Sequence, residues 1–285
     1  CWKAGGNSNT FNIDGTGYSS YDNLQSQSAN SSLPASSTSG MITPSGMSIG
    51  TKQGFSIIKY TANNTSGATV PHGLSGLDFL IVKASVNGSS GDTNWRVYHK
   101  SLGATKNLKL NSNAAEEADT SRWNDTEPTS TVFSLGNHAS TNATGYTYMA
   151  YCFTSIEGYS KFGSYISAGA TSDSNFVYLG FKPALVILKA TTAASGFESY
   201  ISWGIYDNAR QTANPNHSPL FANKSVPEGY RGNGTTSTGG NALYVDFLSN
   251  GFKLRQESAE FSGSNPNPII YAAWAEQPFK FANAR

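Results

Sequence analysis

Short runs of β-branched and aromatic residues alternate along the chain with clusters of Gly, Asn, Ser and Pro. "FSIIKY", "FLIVKAS", "FVYLGF", "ALVILKA" and "ALYVDF" are bounded by stretches such as "NNTSGA", "NGSSGD" and "TSDSN". Segments of this length and make-up read as β-strands separated by turns. "LIVKA" and "LVILKA" are nearly continuous apolar runs, which predicts central strands covered on both faces. "LKLN" and "FKLR" alternate apolar and polar residues, as a strand with one wet face does. Only "AAEEADTSRW", Ala114 to Trp123, has a helical pattern, and it is short. The elements therefore predict an all-β protein.

The strand-like segments come in the same order twice. Pairing Tyr60 with Tyr165, Gly73 with Gly180, Lys83 with Lys189, Trp95 with Trp203, Tyr98 with Tyr206, Leu135 with Leu254 and Tyr148 with Tyr271 gives a spacing that grows slowly along the chain. Slow growth is what loop insertions produce in a duplicated domain, whereas chance matches scatter. The expected architecture is two tandem homologous β-sandwich domains, residues 51–158 and 159–285. They are preceded by residues 1–50, the end of a preceding repeat followed by an extended Ser/Gly/Asn-rich arm or linker. Cys1-Trp2 matches Cys152-Phe153 as the last strand of that earlier copy, so the chain is expected to be the C-terminal part of a longer polypeptide. The arm has few large apolar residues and cannot bury a core alone. It is expected to lie extended on its neighbours, with "FNIDG" and "MITPSGMSIG" as short strands or turns.

Charge changes this picture by what it excludes. Charged residues make up 13% and the formal net charge is +1, against about 25% charged in an ordinary domain. Such a surface offers no electrostatic footprint for nucleic acid. No apolar stretch approaches the roughly 18 residues of a membrane-spanning helix, so no membrane insertion is expected. Cys1 and Cys152 are too few for a disulfide framework and sit in apolar contexts, which predicts buried, inert thiols.

No motif in the sequence assigns a catalytic residue, metal or cofactor. His72, His99, His138 and His217 have no metal-ligand spacing. The carboxylates available to glycoside hydrolysis are Glu116, Glu117, Asp119, Asp125, Glu127, Glu157, Asp207, Asp246 and Glu276, and no local motif favours one pair. "GTGYSS" and "GNGTTSTGG" lack the lysine of a phosphate-binding loop. The expected protein is not an enzyme. Aromatics are more informative, because exposed aromatic faces stack on sugar rings while Asn and Ser satisfy sugar hydroxyls. Trp95 and Trp203 recur at matched places and read as core anchors. Trp123, Tyr230, Arg231 and Asn233, in Gly- and Asn-rich loops, are the candidate ligand-binding residues.

"WKAGGNSNTFNIDG", "GFSIIKYT", "WNDTEPTSTVFSLG", "YMAYCF", "DFLSNGFKLR" and "AEQPFKFANAR" together resemble the repeat domains near the C-termini of large tailed-bacteriophage virion proteins. Those are tail-fibre or structural proteins, often with an upstream concanavalin-like lectin domain. The resemblance spans nearly the whole chain and supplies no site residues. It implies a virion component assembled in the bacterial host cytoplasm, a homo-oligomer, most often a trimer, with other virion proteins and host-surface glycans as partners. The resulting expectation is a tail-fibre or spike part that mediates host attachment by carbohydrate binding. A capsid-decoration or spacer protein and a glycan-cleaving tailspike are the alternatives.

Overall fold

The structure, a computed structural model, describes residues 10–27, 33–85, 94–167, 175–192, 201–228, 244–255 and 267–277. Among them are nineteen strands and three short helices. The fold is all-β, in several sheets, and groups into two compact units. Unit 1 is Cys1–Asn107 with Glu117–Ile156, and unit 2 is Leu108–Glu116 with Glu157–Arg285. Residues 108–116 thus belong to unit 2 although they interrupt unit 1 in sequence.

Unit 1 contains β1 (Phe11–Ile13), β2 (Thr16–Tyr18), α1 (Tyr21–Gln27), β3 (Gly46–Gly50), β4 (Phe55–Thr61), β5 (Ala68–Pro71), β6 (Phe79–Ala84) and β7 (Arg96–His99). It continues with β8 (Lys106–Lys109), whose last two residues fall in unit 2, β9 (Glu117–Ala118), α2 (Thr120–Trp123), β10 (Val132–Leu135), α3 (Ala139–Asn142) and β11 (Thr147–Phe153). The large sheet runs β2-β1-β3-β4-β11-β6-β7-β8-β9, and β10 pairs with β5 in a second. Side chains from both sheets, including Ile58, Tyr60, Val70, Val82, Leu135, Tyr148 and Ala150, fill one buried cluster.

Unit 2 contains β12 (Ser160–Ile166), β13 (Phe176–Tyr178), β14 (Pro183–Ala190), β15 (Trp203–Asp207), β16 (Leu220–Phe221), β17 (Val245–Leu248), β18 (Gly251–Leu254) and β19 (Pro268–Ala275). Its sheets run β12-β19-β14-β15-β16 and β13-β18-β17. They also share one cluster, with Val177, Val186, Leu188, Phe252, Leu254 and Ile269 among its members. This is sandwich-like layering, since each strand offers one alternate set of side chains to the other sheet.

The two large sheets agree in register. In unit 1 Tyr60, Tyr148 and Ala84 stand in one row across β4, β11 and β6. In unit 2 Tyr165, Ile269 and Ala190 stand in one row across β12, β19 and β14. Leu80 faces Tyr98 and Phe79 faces His99, as Val186 faces Tyr206 and Leu185 faces Asp207. In the smaller sheets, Phe133 pairs with Val70 and Phe252 with Val177. Counting on from there matches Gly73 with Gly180, and both glycines have positive φ, 69° and 87°. That conformation costs a side-chain-bearing residue about 1–2 kcal/mol.

One sequence pairing is corrected. The register matches Tyr148 with Ile269, and Tyr271 falls two residues further on, beside Gly163 where unit 1 has Ala150 beside Ile58. The volumes compensate: a Cβ on Gly163 would lie 2.6 Å from the Tyr271 hydroxyl oxygen. In unit 2 the large side chain stands on the other strand of the pair, and the glycine opposite makes the room.

Two local expectations also change. The arm is not wholly extended, since Tyr21 and Leu24 sit at i, i+3 on α1 and are 3% and 0% exposed. Of the helix expected over residues 114–123 only Thr120–Trp123 forms, with the Asp119 side chain capping it at the Ser121 N–H. No helix among the described residues is long and apolar enough to cross a membrane.

Candidate functional site

Strand alternation decides which side chains of the unit 1 sheet look away from the core. Tyr148, Ala150 and Cys152 point inward and are at most 1% exposed. Met149 and Tyr151 therefore point outward, level with Lys83 and Ile81 on β6. Trp95, just before β7, lies across from Lys83 when the Val82–Arg96 pairing is carried one residue on. Trp95 and Tyr151 stack at 6.3 Å between ring centroids with 22° between planes. The Lys83 Nζ sits 5.9 Å from the indole centroid, close enough for a cation–π attraction. All three side chains are half-buried. The result is a shallow aromatic ledge with one cation at its margin, suited to stacking on the apolar face of a planar or ring-shaped ligand.

Unit 2 carries the same Lys and Trp at the matched positions, Lys189 opposite Trp203, but covers them. Trp203 is 2% exposed and Lys189 is fully buried. The indole Nε1 donates to the Lys109 carbonyl at 2.8 Å, and the Glu116 N–H donates to the Thr191 carbonyl at 2.7 Å. Residues 108–116 thereby close over the outer face of β14 and β15. The Lys189 ammonium donates to the Ala190 and Ile201 carbonyls at 2.9 and 2.6 Å, which is how a buried cation avoids an uncompensated desolvation cost. Trp203 is the core anchor expected of it, whereas Trp95 is a surface residue.

Arg96 holds the place where the chain leaves unit 1 and returns. It is 2% exposed. Its Nη1 donates to Asn107 Oδ1 at 2.7 Å and to Glu117 Oε2 at 2.9 Å, and its Nε donates to Ser140 Oγ at 3.2 Å. Asn107 and Glu117 are paired across β8 and β9, so one guanidinium clamps both ends of the excursion. Gly204 occupies the matched position in unit 2.

The residues expected to bind ligand fare differently. Trp123 is a core side chain, 2% exposed and edge-on to Tyr98 at 6.2 Å, because α2 turns it inward before Asn124 ends the helix in a left-handed conformation. It offers no face to a ligand. Tyr230, Arg231 and Asn233 lie outside the described residues, as do Cys1 and Trp2. Lys83 stood in the sequence only as a recurring position matched with Lys189, and Tyr151 not at all. Their signal was alternation within "FLIVKAS" and "YMAYCF", legible only once the inward positions are known.

Several carboxylates considered for hydrolysis have structural partners. Glu127 accepts from the Tyr98 hydroxyl at 2.7 Å and the Ala104 N–H at 2.6 Å. Asp207 accepts from the Arg210 and Ala209 amides at 2.8 and 3.1 Å and from the Arg210 Nε at 2.6 Å. Burial alone would raise its carboxyl, but these bonds outweigh burial and hold it below the ordinary range. Asp119 is depressed in the same way by Ser121 and Arg122, and Asp78 by Ser155 and Lys100. Burial pushes the Cys152 thiol far up, consistent with an inert group. His72 is buried, with Nε2 3.2 Å from the Thr129 carbonyl and Nδ1 accepting from the Leu74 N–H at 3.2 Å. Desolvation lowers it to about 4. Among the described residues no group of three or more His, Cys, Asp or Glu is placed to hold a metal ion.

Residues 1–278 match a protein family described as "Domain of unknown function (DUF7483)". No curated protein and no solved structure matches the chain.

Proposed function

Starting from a chain that belongs to the DUF7483 family, we propose a non-enzymatic structural protein of a tailed-phage virion. It forms the C-terminal part of a tail fibre, spike or similar appendage and contacts host-surface glycans through the ledge of Lys83, Trp95 and Tyr151. In this reading the two units are tandem copies of one β-sandwich domain. Their shared strand order, their shared registers and the paired glycines at positive φ support the duplication.

The observation that carries the glycan assignment is unequal treatment of one surface. The same Lys and Trp are buried in unit 2, Trp203 against Lys109 and Lys189 against the Ala190 and Ile201 carbonyls, and left half-buried beside an extra tyrosine in unit 1. A duplicated aromatic kept only for packing has no need of an open face, while sugar rings use one. Weak sites of this kind gain avidity when several copies sit on one particle, which fits a homo-oligomeric appendage. The test is glycan-array binding of the oligomer before and after Trp95→Ala and Tyr151→Ala. Loss of glycan signal with unchanged unfolding temperature supports the reading, and unchanged signal removes the ledge from it.

The Arg96 clamp favours a second reading, a spacer whose role is mechanical. Residues 108–116 make unit 2 depend on a stretch of chain held at its base by unit 1 side chains. Glycan-independent attachment of particles to host cells would favour the spacer.

A further inference from the structure

In unit 1 the arm crosses the margin where the two sheets come closest to solvent. The Thr69 N–H donates to the Gly40 carbonyl at 3.0 Å and the Ile42 N–H donates to the Thr69 carbonyl at 2.8 Å, so residues 40–42 line the edge of β5. The Ser45 N–H then donates to the Lys59 carbonyl at 2.8 Å, and β3 continues along the edge of β4 from the Gly46–Lys59 pair to Gly50–Phe55. Ile42, Met47 and Ile49 are 6%, 1% and 0% exposed. The packing is close enough that a Cβ on Gly73 would stand 2.3 Å from Ile49 Cδ1.

The matched margin of unit 2 has no such cover among the described residues. Registers equate Thr69 with Phe176, Lys59 with Ser164, Thr61 with Ile166 and Pro71 with Tyr178. The Ser167 N–H donates to Asn267 and the Leu254 N–H donates to Asn175. By alternation, the main-chain groups of Ser164 and Phe176 then face the outer edges of β12 and β13. Ile166, Phe176 and Tyr178 are 58%, 47% and 60% exposed, three of the four large apolar side chains so exposed among the described residues. A Cβ on Gly180 would meet nothing nearer than the Tyr178 hydroxyl at 3.7 Å. Two local substitutes are present: Lys161 donates to the Tyr178 carbonyl at 2.8 Å and lies over that ring, and the Asn175 side-chain amide donates to the Ile166 carbonyl at 2.9 Å, which leaves Ser164 and Phe176 as the open main-chain positions.

We propose that this margin of unit 2 receives a strand donated by another polypeptide, an extended uncharged segment with the pattern of residues 40–46. Strand addition needs an edge with outward N–H and C=O groups for affinity and apolar side chains for specificity. The arm–edge interface already present in unit 1 defines the guest: main-chain bonds to the Phe176 N–H and C=O, a second contact at Ser164, and an aliphatic residue in the place of Ile42. Uncharged residues, Met41 and Thr43, flank that aliphatic in the arm, and the guest is uncharged likewise because Lys161 is the only charged residue on these two strands. This inference stands on the register correspondence and is independent of the virion reading.

The test uses the full chain and a labelled synthetic peptide with the sequence of residues 38–50. Saturable binding by fluorescence anisotropy, with slowed amide exchange at Phe176 and Ser164, is the expected result. Ile166→Lys and Phe176→Lys place charge at positions already exposed, and each weakens binding about tenfold or more without lowering the unfolding temperature. A peptide carrying Asp in the place of Ile42 loses binding likewise. The proposal is overturned if the peptide does not bind at about 1 mM, or if the variants bind it as well as the parent does. Faster amide exchange at Ile42 and Ser45 on adding the peptide would mean displacement of the resident arm and also overturns it. So would self-association of the chain alone that both lysine variants abolish, which would make a second copy the occupant.

Discussion

Lys83 and Lys189 stand at one place in one register, yet the first lies over an indole at the surface and the second is sealed among carbonyl oxygens. The margins differ in the opposite sense, covered by the arm in unit 1 and bare of any such strand among the described residues of unit 2. One strand framework therefore tolerates exposure or burial of the same side chains, depending on which added segment lies over them. The inward positions define the sheet pair, and the segments outside it decide what each unit shows to solvent.

Trp203→Ala should break the comparison most. Removing a buried indole with a bonded N–H costs about 3–5 kcal/mol, whereas Trp95→Ala costs about 1 kcal/mol or less. Calorimetry should show the unit 2 transition falling while unit 1 is nearly unmoved. Equal losses at the two positions would mean that the ledge is as structural as its covered counterpart.

His72 separates the units by pH, because the matched position in unit 2 is Leu179. The unfolded chain binds a proton below its ordinary value of 6.5, while folded His72 resists until about 4. Stability present above 6.5 is therefore lost as pH falls from 6.5 to 4, by about 3 kcal/mol in unit 1 alone, and changes no further below that for this group. His72→Gln should flatten the dependence in that window. An unaltered slope would assign it to other groups.

Arg96→Met removes the clamp where unit 2 has only Gly204. The expected loss is about 2 kcal/mol from unit 1, since Asn107 loses a charged partner while half-exposed Glu117 turns to water. Proteolysis within residues 108–116 should accelerate in the variant, and an unchanged cleavage rate would exclude a clamping role. The smallest contrast is between the paired glycines. Gly180→Ala should cost about 1 kcal/mol for its backbone alone. Gly73→Ala should cost about 2 kcal/mol because Ile49 must also move. Equal costs by denaturant unfolding would show that the arm packs more loosely on Gly73 than the structure has it.

The short β-branched and aromatic runs "GFSIIKY", "FLIVKAS" and "LVILKAT" were enough to find β4, β6 and β14, central to the two large sheets or next to their centre, because such runs bounded by turn residues read as strands. The alternation of side chains along a strand explains the misplaced tyrosine. A two-residue slip on β19 keeps every side chain on its own face, so matching Tyr148 to Tyr271 satisfied the pattern although Gly163 and Tyr271 had exchanged volume. The helix over Tyr21–Gln27 went unseen because only Tyr21 and Leu24 mark its inner face within a polar stretch. Trp123 ends the one stretch with a helical pattern, but the single turn set by the Asp119 cap is too short to show from pattern alone which way its last residue points. The ledge was half legible. Trp95 stood out by recurrence, but recurrence argued for packing, and the covering of Trp203 by residues far away in sequence cannot be read from local pattern.

That distance has a consequence in time. Lys109 precedes its partner Trp203 by 94 residues, so a ribosome making roughly 5–20 residues per second emits the one about 5–20 seconds before the other. Throughout that interval the Lys109 carbonyl has no indole N–H to accept from, and residues 108–116 have no unit 2 strand to join. The nascent chain must hold this segment in waiting until β15 has emerged.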